Sequence, residues 1–167
     1  MTPAMPRDYV KDPAEIYRQS FAAIEAEARL ERLPVSLRAV ARRMIHACGM
    51  VDLVDDLAWD GDPAAAARDA LEAGAPILTD TQMVASGIIR GRFPNSDIVC
   101  VIGDQKVADL ASRLRTTRSA AAIELWRDRL AGAVVAIGNA PTALFYLLDM
   151  IEAGAPRPAV IFGFPVG

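Results

Sequence analysis

The sequence is poor in side chains that bind metal ions or exchange protons near neutral pH. It contains one histidine, His46, and two cysteines, Cys48 and Cys100, which lie far apart. Metal centres built from these residue types need several ligands at short spacing, so we predict no metal site. Histidine is the residue type that ordinarily titrates near neutral pH. Since His46 is the only histidine in the sequence, it is the candidate for proton transfer.

Lysines and long apolar segments are also scarce. Lys11 and Lys106 are the only lysines among 18 basic residues, and a net charge of −3 creates no field for nucleic acid. No segment is long enough to span a bilayer, and the N-terminus lacks the apolar run of a signal peptide. Cys48 and Cys100 lie in apolar strings and are expected to be buried free thiols. We therefore expect a cytoplasmic protein without nucleic-acid or membrane partners.

Short apolar runs alternate with helical segments along the chain. The runs 77–79, 98–102, 134–137 and 160–162 are typical of buried strands. Helices are predicted to begin at or beside residues 13, 34, 63, 81, 107, 119 and 141. The helix beside residue 81 is expected to continue past residue 88, and the helix that begins at Ser119 is expected to reach Leu130. This alternation predicts a single α/β domain over residues 1–167, with a mostly parallel sheet covered on both faces and a loose terminus over residues 1–6.

Local signals predict how several helices begin and end. The string Glu-Ala-Gly-Ala-Pro occurs at 72–76 and again at 152–156. Glycine there permits a positive φ and proline prevents the helix from continuing, so we interpret the string as one helix-to-strand turn used twice. Asp80 and Thr81 are both placed to cap the helix that follows the first strand.

Parallel sheets bind ligands outside the carboxyl ends of their strands. In this chain those ends carry Thr79-Asp80, Gly103-Asp104, Gly138-Asn139 and Gly163, which are also ordinary turn formers. The loop 138–142 and the basic stretch 113–119 are each candidates to hold an anion at a helix start. A solvated capping loop explains the stretch 113–119 equally well, and neither segment has the pattern of a phosphate or dinucleotide loop.

His46 lies in the last turn of the second predicted helix, away from its apolar stripe and close to Arg42 and Arg43. The helix dipole favours a positive charge there. From spacing alone, a histidine that stabilises the end of its own helix is the simpler interpretation than a catalytic one.

Six strings in the chain together resemble the precorrin-8X methylmutase family of cobalamin biosynthesis. They occur in the family's order and extend over nearly the whole chain, which makes the combination highly specific. The strings are residues 16–21, 43–49, 73–80, 117–122, 135–144 and 163–167.

The resemblance implies a flavodoxin-like three-layer αβα fold and a homodimer. It implies an isomerase that moves a methyl group from ring carbon 11 to ring carbon 12 of the corrinoid substrate precorrin-8X, giving hydrogenobyrinate without consuming a cofactor. Family members continue beyond the string 163–167, so we expect this chain to be short at its C-terminal end relative to them.

The resemblance also assigns residues. His46 matches the family's catalytic histidine, whose role is proton donor or acceptor at the macrocycle. Thr117, Arg118 and Ser119 match a substrate-contacting string of the family. Near the N-terminus, Tyr17 and Ser20 also match substrate-binding positions. Two further substrate-binding residues, Asp80 and Arg90, are predicted from their position alone.

Three other functions compete with this one. The first is a corrinoid-binding protein without catalysis, and the second is the form of the enzyme that acts on cobalt-precorrin-8. A flavodoxin-like receiver module is disfavoured, because such modules carry a lysine at a strand end and neither Lys11 nor Lys106 lies at one.

Overall fold

The computed structural model describes residues 9–165, so the predicted loose terminus over residues 1–6 lies outside the described residues. By its internal contacts the chain forms two compact units, Met1–Ala64 and Ala65–Gly167, here called unit 1 and unit 2. The expectation of a single domain stays a prediction. No helix within residues 9–165 has the length and apolar character needed to cross a membrane.

Unit 1 is helical. Asp12 caps the first helix by accepting a 3.1 Å hydrogen bond from the Ala14 N–H, and Gly49 ends the second helix with a φ of 74°. Both ends agree with the prediction. The helices are α1 (Pro13–Glu27), a 3-10 turn (Leu30–Arg32), α2 (Val35–Cys48) and α3 (Leu53–Asp56). Their buried side chains are Ile24, Ala28, Leu30, Leu33, Leu37, Ala41, Ile45 and Val54.

The prediction of two buried thiols was wrong. Cys48 is exposed and Cys100 is half-buried. The buried positions of α2 are Leu37, Ala41 and Ile45, which repeat every four residues. Cys48 breaks this spacing and is the last residue of the helix, so no further turn covers it.

Unit 2 contains a four-stranded sheet in which every neighbouring pair is parallel. Its strands are β1 (Ile77–Thr79), β2 (Ile98–Cys100), β3 (Val134–Ile137) and β4 (Val160–Gly163), arranged in the order β2-β1-β3-β4. The mixed α/β architecture with a parallel sheet is therefore confirmed.

Residues paired across the strands share a face of the sheet. Leu78 pairs with Val135, and both are fully buried in one cluster with Ile123 and Leu147. Ile77 pairs with Val134, and both pack with Ala67 on the other face. Two covered faces explain why the strands are continuous apolar runs. The helices of this unit are α4, which begins at the end of unit 1 (Pro63–Glu72), α5 (Gln82–Gly87), α6 (Lys106–Leu114), α7 (Arg118–Ile123) and α8 (Pro141–Glu152).

The repeated helix-to-strand turn is confirmed. Gly74 and Gly154 have φ angles of 78° and 92°, and both turns form the same hydrogen bond across five residues. The Ala75 N–H donates to the Ala70 carbonyl as the Ala155 N–H donates to the Met150 carbonyl.

Two predicted helices differ from the structure. The helix expected from Ser119 to Leu130 begins at Arg118 and becomes a 3-10 helix over Glu124–Arg129. Residues i and i+3 eclipse in a 3-10 helix, which suits the ion pair between Arg127 and Glu124 at 3.0 Å. The helix expected to continue past residue 88 ends at Gly87, and Arg90–Arg92 forms a separate 3-10 turn.

The Asp80 carboxylate joins two distant segments of unit 2. It does not cap α5 as predicted, because the Thr81 hydroxyl fills that position. Its Oδ1 accepts the Gly138 N–H at 3.1 Å, and its Oδ2 accepts the Asn139 and Ala140 N–H groups at 2.9 and 3.0 Å. Asp80 therefore anchors the loop that leads into α8, which is the loop that was expected to hold an anion.

A second polar contact fixes α8 against the 3-10 helix. The Tyr146 hydroxyl donates a 2.8 Å hydrogen bond to Glu124. Burial, followed by this hydrogen bond to a carboxylate, raises the pKa of Tyr146 from 10.0 to about 12.

We predict that Asp80→Ala lowers the free energy of unfolding by about 3 kcal/mol, because three N–H donors lose their partner and Asp80 is only 3% exposed. Asp104→Ala is the matched control, since Asp104 is an exposed carboxylate that accepts one N–H, from Lys106, at the start of α6. It should cost about 1 kcal/mol. Urea unfolding of both variants measures the difference, and equal losses would contradict the bridging role of Asp80.

We predict that Tyr146 makes stability fall between pH 10.0 and about 12. In that interval the unfolded chain has lost the phenolic proton while the folded chain retains it, so the free energy of unfolding decreases as pH rises. Tyr146→Phe lacks this titration and should lose less stability over the same interval. Urea unfolding at stepped alkaline pH compares the two proteins, and parallel curves would refute the assignment.

Candidate functional site

The predicted catalytic histidine is held by a residue of another helix. The Ser20 Oγ of α1 lies 2.7 Å from the Nδ1 of His46 in the last turn of α2. Both side chains are half-buried. A histidine that only stabilised the end of its own helix would need no partner on α1, so this geometry favours the functional interpretation.

Two aromatic rings of α1 contact the imidazole. The ring centroids of Tyr17 and Phe21 lie 5.1 and 5.3 Å from that of His46, the first tilted at 32° and the second edge-on at 81°. Tyr17 and Phe21 are four residues apart and also contact one another at 5.7 Å. The imidazole is therefore oriented by two rings and by one hydrogen bond at Nδ1. Within the described chain, Nε2 forms no hydrogen bond.

Two arginines flank this cluster and differ in their partners. The Arg43 guanidinium lies 5.7 Å from the Tyr17 ring and 5.2 Å from the Phe21 ring. The Arg42 guanidinium lies 5.9 Å from the Phe21 ring and forms an ion pair with Glu25. Arg43 is exposed, whereas Arg42 is half-buried.

In unit 2, the start of α7 brings Thr117 and Arg118 to the carboxyl edge of the sheet. Thr117 caps α7 by accepting the Ala120 N–H at 3.1 Å, and its hydroxyl lies 2.9 Å from that of Thr142 in α8. The exposed Arg118 guanidinium donates one 3.2 Å hydrogen bond to the Ile102 carbonyl. Its other N–H groups form no ion pair with any residue between 9 and 165. Ser119 is half-buried in the same turn.

The remaining predicted substrate-binding residues are placed differently. Both Asp80 oxygens already accept backbone N–H groups, so the structure gives this carboxylate a structural task. Arg90 is exposed in its 3-10 turn. A binding role for either residue stays a prediction.

Three residues of these clusters were not among the predicted site residues. Phe21 and Arg43 have helical spacing to Tyr17 and His46, and that spacing was the signal for both. Thr142 gave no such signal, because its partner Thr117 is 25 residues away in the chain. In the described part of the chain, no three His, Cys, Asp or Glu side chains lie close enough to hold a metal ion.

Comparison with known sequences identifies relatives over almost the whole chain. The family profile described as Precorrin-8X methylmutase matches residues 15–167. The precorrin-8X methylmutase of Pseudomonas aeruginosa is 56% identical over 161 residues, which cover 96% of this chain and 77% of the relative. The precorrin-8X methylmutase of Sinorhizobium sp is 51% identical with the same coverage.

A solved structure agrees with the fold. The precorrin-8x methyl mutase from Thermus thermophilus superposes with a TM-score of 0.80 at 34% sequence identity, over 92% of this chain and 75% of that one. The parallel sheet, the resemblance of the six strings and the match of the family profile therefore lead to one assignment. The chain belongs to the precorrin-8X methylmutase family, a family of isomerases in corrin biosynthesis.

Proposed function

We propose that this chain moves the methyl group of precorrin-8X from ring carbon 11 to ring carbon 12, giving hydrogenobyrinate, with His46 as proton donor and acceptor. The observation that carries the proposal is the 2.7 Å contact between Ser20 Oγ and His46 Nδ1. This contact leaves Nε2 as the imidazole nitrogen that can exchange a proton with the macrocycle.

The Ser20 hydroxyl suits both halves of such a cycle. Its oxygen can accept the Nδ1–H of a doubly protonated imidazole and, after Nε2 has given its proton to the macrocycle, the same Nδ1–H of the neutral ring, whose lone pair is then at Nε2. His46 can therefore donate a proton that favours the migrating tautomer and take it back after the methyl group has moved. The proton is returned, so the net reaction is an isomerisation that consumes no cofactor.

The substrate combines an apolar ring with acetate and propionate arms. Tyr17 offers an aromatic ring that is 45% exposed and is oriented by Phe21 and His46. Arg118, with Thr117 and Ser119, offers guanidinium and hydroxyl groups for carboxylates. We propose these residues as substrate contacts, together with Asp80 and Arg90, which are proposed from their position alone.

The metal-free ring is the proposed substrate. Two relatives that share more than half of their aligned residues with this chain are named for precorrin-8X. We also propose that the protein is a homodimer. Phe145 and Leu148 are exposed apolar side chains three residues apart on α8, and a partner subunit would cover them. A cytoplasmic location is proposed as well.

A corrinoid-binding protein without catalysis would bind the product as tightly as the enzyme does. Binding therefore does not separate these two functions, whereas turnover does. Comparing turnover of the cobalt-containing and metal-free substrates tests the remaining alternative, because an enzyme for cobalt-precorrin-8 would convert the cobalt-containing ring in preference to the metal-free one.

We predict that the purified protein converts precorrin-8X, with a change in the visible spectrum, and that His46→Gln lowers kcat by about 10²–10⁴-fold. Glutamine can keep a hydrogen bond to Ser20 but cannot exchange a proton, so product binding should remain within about twofold. Wild-type protein that binds product without turnover would be the non-catalytic form. Full turnover by His46→Gln would end the proposed role of the histidine.

We predict that Ser20→Ala lowers kcat by about tenfold with little change in KM, because the lost hydrogen bond no longer orients His46. Ser20→Thr keeps the hydroxyl and should recover part of the loss. Ser36→Ala, in the first turn of α2, is the control and should leave both constants unchanged. A raised KM with normal kcat would instead make Ser20 a simple substrate contact.

A further inference from the structure

We propose that Arg43 binds one carboxylate arm of the corrinoid beside His46. This inference rests on the proposed function, and it adds a residue to which the sequence analysis assigned no role. It follows from the ring contacts of Arg43 and from the hydrogen-bonding state of its guanidinium.

Arg43 and His46 share the same two aromatic rings. The guanidinium lies 5.7 Å from the centroid of Tyr17 and 5.2 Å from that of Phe21, and the imidazole lies 5.1 and 5.3 Å from the same centroids. The two residues are three positions apart on α2, which places them on one side of the helix. A ligand group that reaches Nε2 of His46 therefore comes close to this cation.

Arg43 differs from every other arginine that the structure describes in unit 1. Arg18 pairs with Glu15, Arg42 with Glu25, and both Arg29 and Arg32 with Asp55. Arg38 donates to the carbonyls of Leu33 and Glu31. Among residues 9–64, Arg43 alone of the arginines has neither a carboxylate nor a carbonyl partner, and it is exposed.

A guanidinium held over aromatic rings is oriented through its face, while the N–H groups along its edge stay open. That edge matches the two oxygens of a carboxylate and binds them as a fork. Arg43 can therefore accept an acetate or propionate arm without first breaking an ion pair. Arg42 would have to release Glu25 to do the same.

Isothermal titration with hydrogenobyrinate, and with the same ring carrying its carboxylates as neutral amides, tests the inference. Arg43→Gln should weaken hydrogenobyrinate binding by about tenfold. It should change binding of the amide by less than about twofold, since that ligand has no charge to lose. Arg43→Lys keeps the charge without the planar fork and should fall in between. Arg42→Gln, the neighbouring ion-paired arginine, should bind both ligands as wild type does.

Turnover is measured alongside on precorrin-8X. For Arg43→Gln we expect a raised KM with kcat within about twofold, as for a contact made equally in ground state and transition state. Equal losses for the charged and amidated ligands, equal losses in Arg43→Gln and Arg42→Gln, or unchanged hydrogenobyrinate binding in Arg43→Gln would each overturn the inference. Absence of turnover in wild type with the expected binding pattern would instead refute the proposed function and leave the arginine contact standing.

Discussion

The carboxyl edge of the sheet in unit 2 depends on one buried carboxylate. Asp80 follows β1 and accepts N–H groups 58, 59 and 60 residues further along the chain. These N–H groups belong to residues 138–140, immediately before α8, whose own cap residue, Ala140, makes no side-chain cap hydrogen bond. The negative charge therefore satisfies three loop donors and lies near the positive end of the helix dipole. It also sets the start of α8, from which Thr142 reaches Thr117.

Only one half of this interaction could be predicted from the sequence. The loop 138–142 was correctly placed at a helix start with N–H groups suited to an anion, and the anion proved to be part of the protein. The sequence pattern identified the N–H donors because they lie next to one another in a single loop. It could not identify Asp80 as the acceptor, since that pairing exists only when β1 and β3 are neighbours in the sheet. Four apolar runs predict four strands, but not their order.

In the site of unit 1, likewise, the arrangement within each helix could be predicted, whereas the contact between the helices could not. Helical spacing is sufficient to place Tyr17 and Phe21 side by side on α1, and to place Arg43 and His46 on one side of α2. It does not say that α1 supplies the hydroxyl at Nδ1, which is a contact across 26 residues. Spacing alone favoured a helix-end histidine, and only the resemblance of the surrounding strings pointed to His46. The 3-10 segment over Glu124–Arg129 was missed for a local reason, because its apolar pattern also fits an α-helix.

The aromatic pair Tyr17 and Phe21 explains how two side chains can be oriented while their polar atoms stay free to bind a substrate. Hydrogen bonds and ion pairs orient a side chain by occupying its polar atoms, as Glu25 occupies Arg42 and Asp55 occupies two other arginines. Ring contacts orient a side chain through its face and leave the atoms at its edge available. Tyr17 and Phe21 hold His46 and Arg43 in this way, with the single polar contact at Nδ1. Nε2 and the guanidinium edge thus remain open to a substrate, which is what proton exchange and carboxylate binding both require.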